Sequence, residues 1–320
     1  MELRYENLKN KPKAFLAFTG FTVEEFQILL PSFTVAWERY VQQHNLPPEL
    51  RQRGYGGGRK ARLGTCQNKL LFILVYLKTY PLQEVLAFHF DMSQGQACQW
   101  IHILSEVLQL TLGELGHLPE RDPQKVKELL ETYIGESQQY GIQDEASAEL
   151  ETESFAIDGT ERRRQRPIGQ EEQKRFYSGK KKTHTVKNNL IVTLGNRRVE
   201  YLGRTWEGKK HDKSICDDEG HEFPEGSVLY KDTGFQGYEP AGVNTRQPKK
   251  KPRGGELTVA EKKQNSLISS MRIVVEHVIC GVKRCRIVKD VLRNTRDEFA
   301  DLVMEIACGL HNFRTACRTG

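Results

Sequence analysis

Three carboxylates stand at the ends or in the middle of apolar runs. Asp158 follows "SFAI", Asp232 follows "GSVLYK", and Glu276 interrupts "SSMRIVVEHVICGVKRCRIV", residues 269–288. Strand ends are where α/β sheets present functional groups, and Asp and Glu offer hard oxygen donors that select Mg²⁺ or Mn²⁺ over softer metals. No Cys/His spacing of the zinc-binding kind competes with them. Two such divalent ions about 4 Å apart activate a water and stabilise the leaving oxygen of a phosphodiester, with no protein nucleophile. Blander readings fit the same residues. Each aspartate also suits a turn, and Arg272 and Glu276, four residues apart, also suit a surface ion pair on a helix.

The elements that must position these groups are legible in outline. Thr258 and Glu261 form a T-x-x-E capping box ahead of a long helical pattern. At about 100° per residue, Leu267, Met271, Val274, Val278 and Val282 form a core stripe, with Ile268, Ile273, Val275 and Ile279 on its flanks. Asn265, Ser269, Arg272, Glu276 and Lys283 gather in a narrow polar seam opposite. A thin charged seam on an otherwise apolar helix points to a largely buried helix lining a site, with Arg272 and Lys283 positioning Glu276 and a nucleic-acid backbone. Strand-like runs lie in "SFAIDGTERRR", "THTVKNNLIVTL", "RRVEYLGRTW" and "GSVLYKDTGF", with a short helix around "HDKSICDDEG". Two long helices close the chain. That order predicts an α/β domain over 154–320 with helices added to the faces of its sheet.

Upstream, the pattern is helical. Residues 1–50 hold a Thr22/Glu25 capping box, and 51–64 ("RQRGYGGGRKARLG") reads as a basic, glycine-rich flexible linker, with a phosphate-touching arm through Arg59 and Lys60 as the alternative. Residues 65–112 read as a helix-turn-helix. Its first helix is Leu82–Phe90, its turn Asp91 and Met92, and Ser93 caps the recognition helix. Gln94, Gly95, Gln96 and Gln99 then face DNA, while Ala97, Trp100, Ile101 and Leu104 pack inward. A three-helix scaffold without DNA contact is the alternative. Residues 113–153 form an acidic connecting region.

Charge supports a polyanionic partner through its distribution. Residues 114–153 carry eleven Asp/Glu against three Lys/Arg, whereas 162–210 carry fifteen Lys/Arg against four Glu. The basic half includes Arg162, Arg163, Arg164, Lys180, Lys181, Lys182 and Lys187, the expected footprint of a phosphate-backbone binder. The seven cysteines, odd in number, read as reduced thiols of a cytosolic protein. The longest apolar run, "LLFILVYL" at 70–77, is too short for a bilayer span. No GxxxxGK[ST] loop is present to bind ATP. "IDGT" also occurs in phosphatases with a nucleophilic Asp two residues earlier, but position 156 is Ala.

Arg272-x3-Glu276-x6-Lys283, behind "IDGTE", "FYSGKKKTHTVKNNLIV", "GKKHDKS" and "YKDTGFQGY", resembles the DDE transposases of bacterial insertion sequences, above all the insertion sequence five group. The resemblance runs over most of the chain. It implies a ribonuclease H-like (retroviral integrase-like) catalytic domain preceded by an all-α helix-turn-helix domain, with Asp158, Asp232 and Glu276 as a triad binding two Mg²⁺ or Mn²⁺ ions. It further implies double-stranded DNA partners (terminal inverted repeats and target DNA), a homo-oligomer on that DNA, no membrane partner, and a cytoplasmic, nucleoid-associated protein. One residue departs: the family has Tyr three positions before the Arg, and this chain has Ser269. A helix-turn-helix regulator without catalysis and a nuclease that cuts without joining are the competing expectations.

Overall fold

A computed structural model describes residues 2–44, 61–140 and 154–319. Arg59, Lys60, most of the basic linker and the acidic stretch 141–153 lie outside the described residues. The chain divides into two compact units, Met1–Leu118 with Lys283–Asp290 and Leu302–Gly320, and Pro119–Val282 with Val291–Asp301.

The first unit is helical: α1 (Tyr5–Leu8), α2 (Pro12–Thr19), α3 (Val23–His44), α4 (Cys66–Thr79), α5 (Gln83–His89) and α6 (Gln94–Glu114). The Thr22/Glu25 box forms, Thr22 N donating to Glu25 Oε2 (2.9 Å) and Glu25 N to Thr22 Oγ1 (3.1 Å). The run 70–77 is buried at every position, as a helix apolar all round must be. It is packed by α2, α3 and α6. Among the described residues no helix is long and apolar enough to cross a membrane.

The second unit is a mixed sheet with helices. Its elements are α7 (Val126–Tyr140), β1 (Ser154–Arg163), α8 (Gln170–Phe176), β2 (Tyr177–Ser178), β3 (Thr183–Thr193), β4 (Val199–Leu202), β5 (Trp206–Glu207), α9 (Asp212–Glu219), β6 (Val228–Lys231), β7 (Asn244–Arg246) and α10 (Val259–Val282). The strand order is β2-β3-β1-β6-β7, with β4 and β5 also on β3. β3 runs antiparallel to β1, while β6 is parallel to β1 and β7 to β6. One face of β1 carries Phe155 and Ile157 into a core with Ile191, Leu229 and Tyr201, covered by Val126 and Leu130 of α7. α10 packs on β1 and β6.

Two expectations about boundaries need correction. Pro119 to Tyr140 is part of the sheet unit and not a connector, because α7 is amphipathic and its apolar side completes the sheet core. The last helix, α11 (Asp297–Thr319), groups from Leu302 onward with the helical unit, where Gln109 donates to Glu305 (2.6 Å) and Asn312 to the His117 carbonyl (2.9 Å).

Candidate catalytic site

The β1–β6 register sets Ile157 opposite Lys231, so the next residues, Asp158 within β1 and Asp232 just past the end of β6, sit side by side on adjacent parallel strands. Asp158 does not end its strand as expected, because β1 stays paired with β3 as far as Arg163. Neighbouring strands are about 5 Å apart, which brings the two carboxylates into one electrostatic neighbourhood. Asp158 accepts from Gly159 N (2.8 Å) and Asp232 caps a short 3-10 turn by accepting from Thr233 N (2.7 Å). The Asp232 carbonyl also accepts from Gln247 Nε2 (2.9 Å), and buried Lys231 ties the following loop down through the Tyr238 carbonyl and Glu239 Oε1 (2.6 Å).

Arg272 comes to this pair from α10, with Nη1 3.4 Å from Asp232 Oδ1 and the side chain only 14% exposed. Its Nε is buried without a hydrogen-bond partner among the described residues. Burial pushes the Asp158 carboxyl from an ordinary 3.8 up to about 6; the Gly159 N–H and Arg272 oppose the rise, and Asp232 and Asp212 add to it. A partly desolvated acid beside two others is a site short of positive charge.

Asp212 is the member that sequence reasoning missed. It opens α9, and its carboxylate lies on the opposite side of β1: a Cβ at Gly159 would meet Oδ1 at 2.9 Å, and one at Gly234 would meet Oδ2 at 3.2 Å. Lys187 Nζ pairs with Asp212 Oδ1 (2.9 Å) and also donates to the Lys210 carbonyl (2.9 Å). The readable signal was a pair of glycines, one directly after Asp158 and one two residues after Asp232, which leave room for a third acid.

Glu276 departs from the expectation of a narrow seam in a buried helix. The Thr258/Glu261 box starts α10 as expected (2.8 and 3.2 Å) and the helix runs through Gly281 to Val282. Its buried residues are Ile268, Val275, Val278 and Val282, whereas Leu267 and Ile273 are 60% and 48% exposed. The inward face is therefore rotated from the expected stripe. Arg272 lies at its rim, and Glu276 is exposed about 40° further round and one turn on. Among the described residues no group of three or more His, Cys, Asp or Glu is placed to hold a metal ion. Exposed aliphatics are common enough that apolar spacing alone misplaces a helix face. Ser269 is exposed on the same helix, and Lys283, just past its end, groups with the helical unit.

The helix-turn-helix geometry follows expectation closely. α5 and α6 are joined by Phe90 to Ser93, with Asp91 at φ 52° in the left-handed region that short polar side chains tolerate. Asp91 also pairs with Arg62 (2.5 Å). Ser93 and Gln96 form a capping box, so Gln96 is engaged in starting the helix. Gln94 donates to Gln83 (2.6 Å), and Gln99 is exposed. Ala97, Ile101 and Leu104 are buried. Trp100 is half-buried against Trp37 (5.8 Å between rings) with Lys69 over both, a packing role.

A family model described as DDE superfamily endonuclease matches residues 157–312, spanning Asp158, Asp232 and α10, and one described as helix-turn-helix of DDE superfamily endonuclease matches residues 61–114. The chain belongs to the DDE endonuclease superfamily. It is also similar to a probable transposase for insertion sequence element IS702 from Microchaete diplosiphon, 26% identical over 261 residues, covering 82% of this chain and 84% of that protein. No solved structure matches the chain.

Within this DDE chain the basic residues sort into two groups. Lys180, Lys181 and Lys182 are exposed in the turn between β2 and β3, and Arg163 is exposed at the end of β1. Arg164 is half-buried with its guanidinium 4.0 Å from the Phe176 ring. Arg162 needs correction: it is 3% exposed and donates to the Ala300 carbonyl (2.9 Å), Asn188 Oδ1 (2.7 Å) and Thr205 Oγ1 (3.2 Å). Strand alternation sets it on the face of Asp158 and Thr160, where these buried bonds tie the sheet unit together, so it is not a phosphate contact. Lys187 likewise is committed to Asp212.

Proposed function

We propose that this DDE chain is a transposase that binds the terminal inverted repeats of its element and cleaves their strands by metal-dependent hydrolysis. The freed 3′-hydroxyls are then joined to target DNA. The similarity to an insertion-sequence transposase supports the reading. The observation that carries it is the register of Ile157 with Lys231, which sets Asp158 beside Asp232 next to Arg272. The strand order, with β3 antiparallel beside the parallel set β1, β6 and β7, supports a ribonuclease H-like fold. The finer assignment to the insertion sequence five group rests on the motif resemblance.

The donor chemistry fits Mg²⁺ or Mn²⁺. Asp158 and Asp232 supply hard oxygens, and the raised Asp158 carboxyl marks a place where a cation relieves electrostatic cost. We assign Asp158 and Asp232 as metal-holding residues, with Glu276 on the exposed flank of α10 as the third. Divalent ions held by these residues would supply the activation of water and the stabilisation of the leaving oxygen. The chain's own groups do the rest. Arg272 steadies Asp232, and Asp212 with Lys187 braces the far side of β1. Lys180 to Lys182 and Arg163 hold phosphate backbone, with α6 in the major groove. Pairing two ends requires at least two copies of the chain on the DNA. Incubating the chain with Mg²⁺ and a duplex from the DNA flanking its coding region tests the proposal: strand cleavage that stops with EDTA supports it, and binding without any cleavage would place the chain among DNA-binding regulators.

A further inference from the structure

Ile168, in the loop between β1 and α8, is 99% exposed. Single exposed aliphatics need no explanation as a rule, but this one is held out by a built support. Arg166 donates twice to Gln173 Oε1 (3.0 and 2.7 Å), and Gln173 Nε2 donates to the carbonyls of Pro167 (2.8 Å) and Ile168 itself (3.2 Å). Pro167 is buried, and Gln173 N closes the first turn of α8 on Gly169 O (2.9 Å). The backbone on both sides of Ile168 is therefore pinned while its side chain contacts solvent. A β-branched side chain on a pinned loop has little rotamer freedom left to lose on binding.

The surroundings are basic. Residues 162–182 carry nine Lys/Arg against two Glu. The β2–β3 turn with Lys180 to Lys182 pairs back onto β3 next to β1, and Arg164 stacks on Phe176 of α8. A rigid apolar tip in a segment of net positive charge suits a polyanion with an apolar interior. Duplex DNA is that partner: phosphates meet the basic residues, and an aliphatic side chain enters a base step and unstacks it. A second copy meeting this segment through the same segment is disfavoured, since it would bring like charge to it.

We propose that Ile168 is an unstacking wedge, inserted into one base step of the duplex held along this basic segment. The proposal rests on the DNA reading above and adds how the duplex is distorted. It gives a reason for an apolar side chain in the basic block that the metal chemistry does not use.

The test places 2-aminopurine at successive positions in duplexes from the DNA flanking the coding region, bound to the full chain in EDTA so that no strand is cut. The expected result is a several-fold rise in fluorescence at one step. Ile168→Ala removes that rise while affinity by anisotropy falls by less than about tenfold, because phosphate contacts dominate affinity, and Ile168→Leu keeps it. A rise that survives Ile168→Ala, or no rise at any position in a bound complex, overturns the wedge and leaves the DNA reading standing. A DNA-free sedimentation mass that changes with Ile168→Ala assigns the tip to a protein interface and also overturns it. No binding by the unaltered chain overturns the DNA reading, and the wedge with it.

Discussion

Asp158→Asn is expected to stabilise the metal-free sheet unit at neutral pH, although it removes a residue assigned to catalysis. The carboxyl is pushed from 3.8 up to about 6, burial first among the causes. An acid whose folded value is raised binds its proton more tightly when folded, so its contribution is fully present below about pH 4 and is lost as pH rises to about 6. At about 1.4 kcal/mol per pH unit between folded and unfolded values, the unaltered chain gives up about 3 kcal/mol across that window. Asparagine keeps the acceptor for Gly159 N (2.8 Å) and carries no charge. The variant should therefore be more stable by up to about 3 kcal/mol at pH 7 and equal within about 0.5 kcal/mol near pH 4. Pulsed hydrogen exchange of peptides covering β1 and β3 along a urea series, in EDTA, reads the unfolding of this unit alone. Mg²⁺ should then raise the midpoint of the unaltered chain and leave that of Asp158→Asn in place. A variant no more stable at pH 7, or a gap that persists unchanged to pH 4, refutes the reasoning.

Other substitutions probe the same framework from different sides. Gly159→Ala puts a methyl 2.9 Å from Asp212 Oδ1 and 3.3 Å from Asn189 Oδ1, and should cost about 1–3 kcal/mol in thermal or urea unfolding; adding Asp212→Ala should recover part of the loss, and strict additivity would show that the two do not meet. Arg162→Ala leaves the acceptors on Ala300, Asn188 and Thr205 without their donor and should destabilise by about 3 kcal/mol, with the DNA affinity of the folded protein unchanged. Replacing Lys180, Lys181 and Lys182 together by Ala should leave stability within about 0.5 kcal/mol and flatten log K against log salt by about 0.9 for every phosphate no longer neutralised; an unchanged slope removes that turn from the interface. Gln96→Ala should weaken the start of α6 by about 1 kcal/mol through loss of its half of the capping box, measured as faster amide exchange in the first turn.

Local rules carried a good share of this structure. The capping boxes at Thr22 and Thr258 and the N-cap at Ser93 all formed, since such motifs depend on a few neighbouring residues. The strand runs behind Asp158 and Asp232 formed too, because alternation with β-branched residues has few competing solutions. The pairing of those strands was not legible: nothing local to "SFAI" or "SVLYK" states that they lie parallel and in a register that aligns the two acids. The face of α10 was misjudged for a related reason. Leu267 and Ile273 are apolar and exposed, so a wheel weighted by them turns away from the true buried line through Ile268, Val275 and Val282. Arg162 and Lys187 were indistinguishable in sequence from their solvent-facing neighbours, and only strand alternation and the approach of α9 assign them inward roles. Asp212 left only the glycines at 159 and 234 as a trace in the sequence, and which acid they make room for is fixed by the fold that brings its helix start against them.

The proposed site joins Asp158, Asp232 and Glu276 in metal-dependent cutting of DNA. The most direct measurement is strand cleavage of a flanking-DNA duplex in Mg²⁺ by the unaltered chain and by Asp158→Ala, Asp232→Ala and Glu276→Ala, with binding followed by anisotropy on the same samples. The expected result is cleavage by the unaltered chain, a loss of at least about a thousandfold in each variant, and affinity little changed. Cleavage retained by a variant that still binds removes that residue from the site, and retention in both aspartate variants contradicts the account.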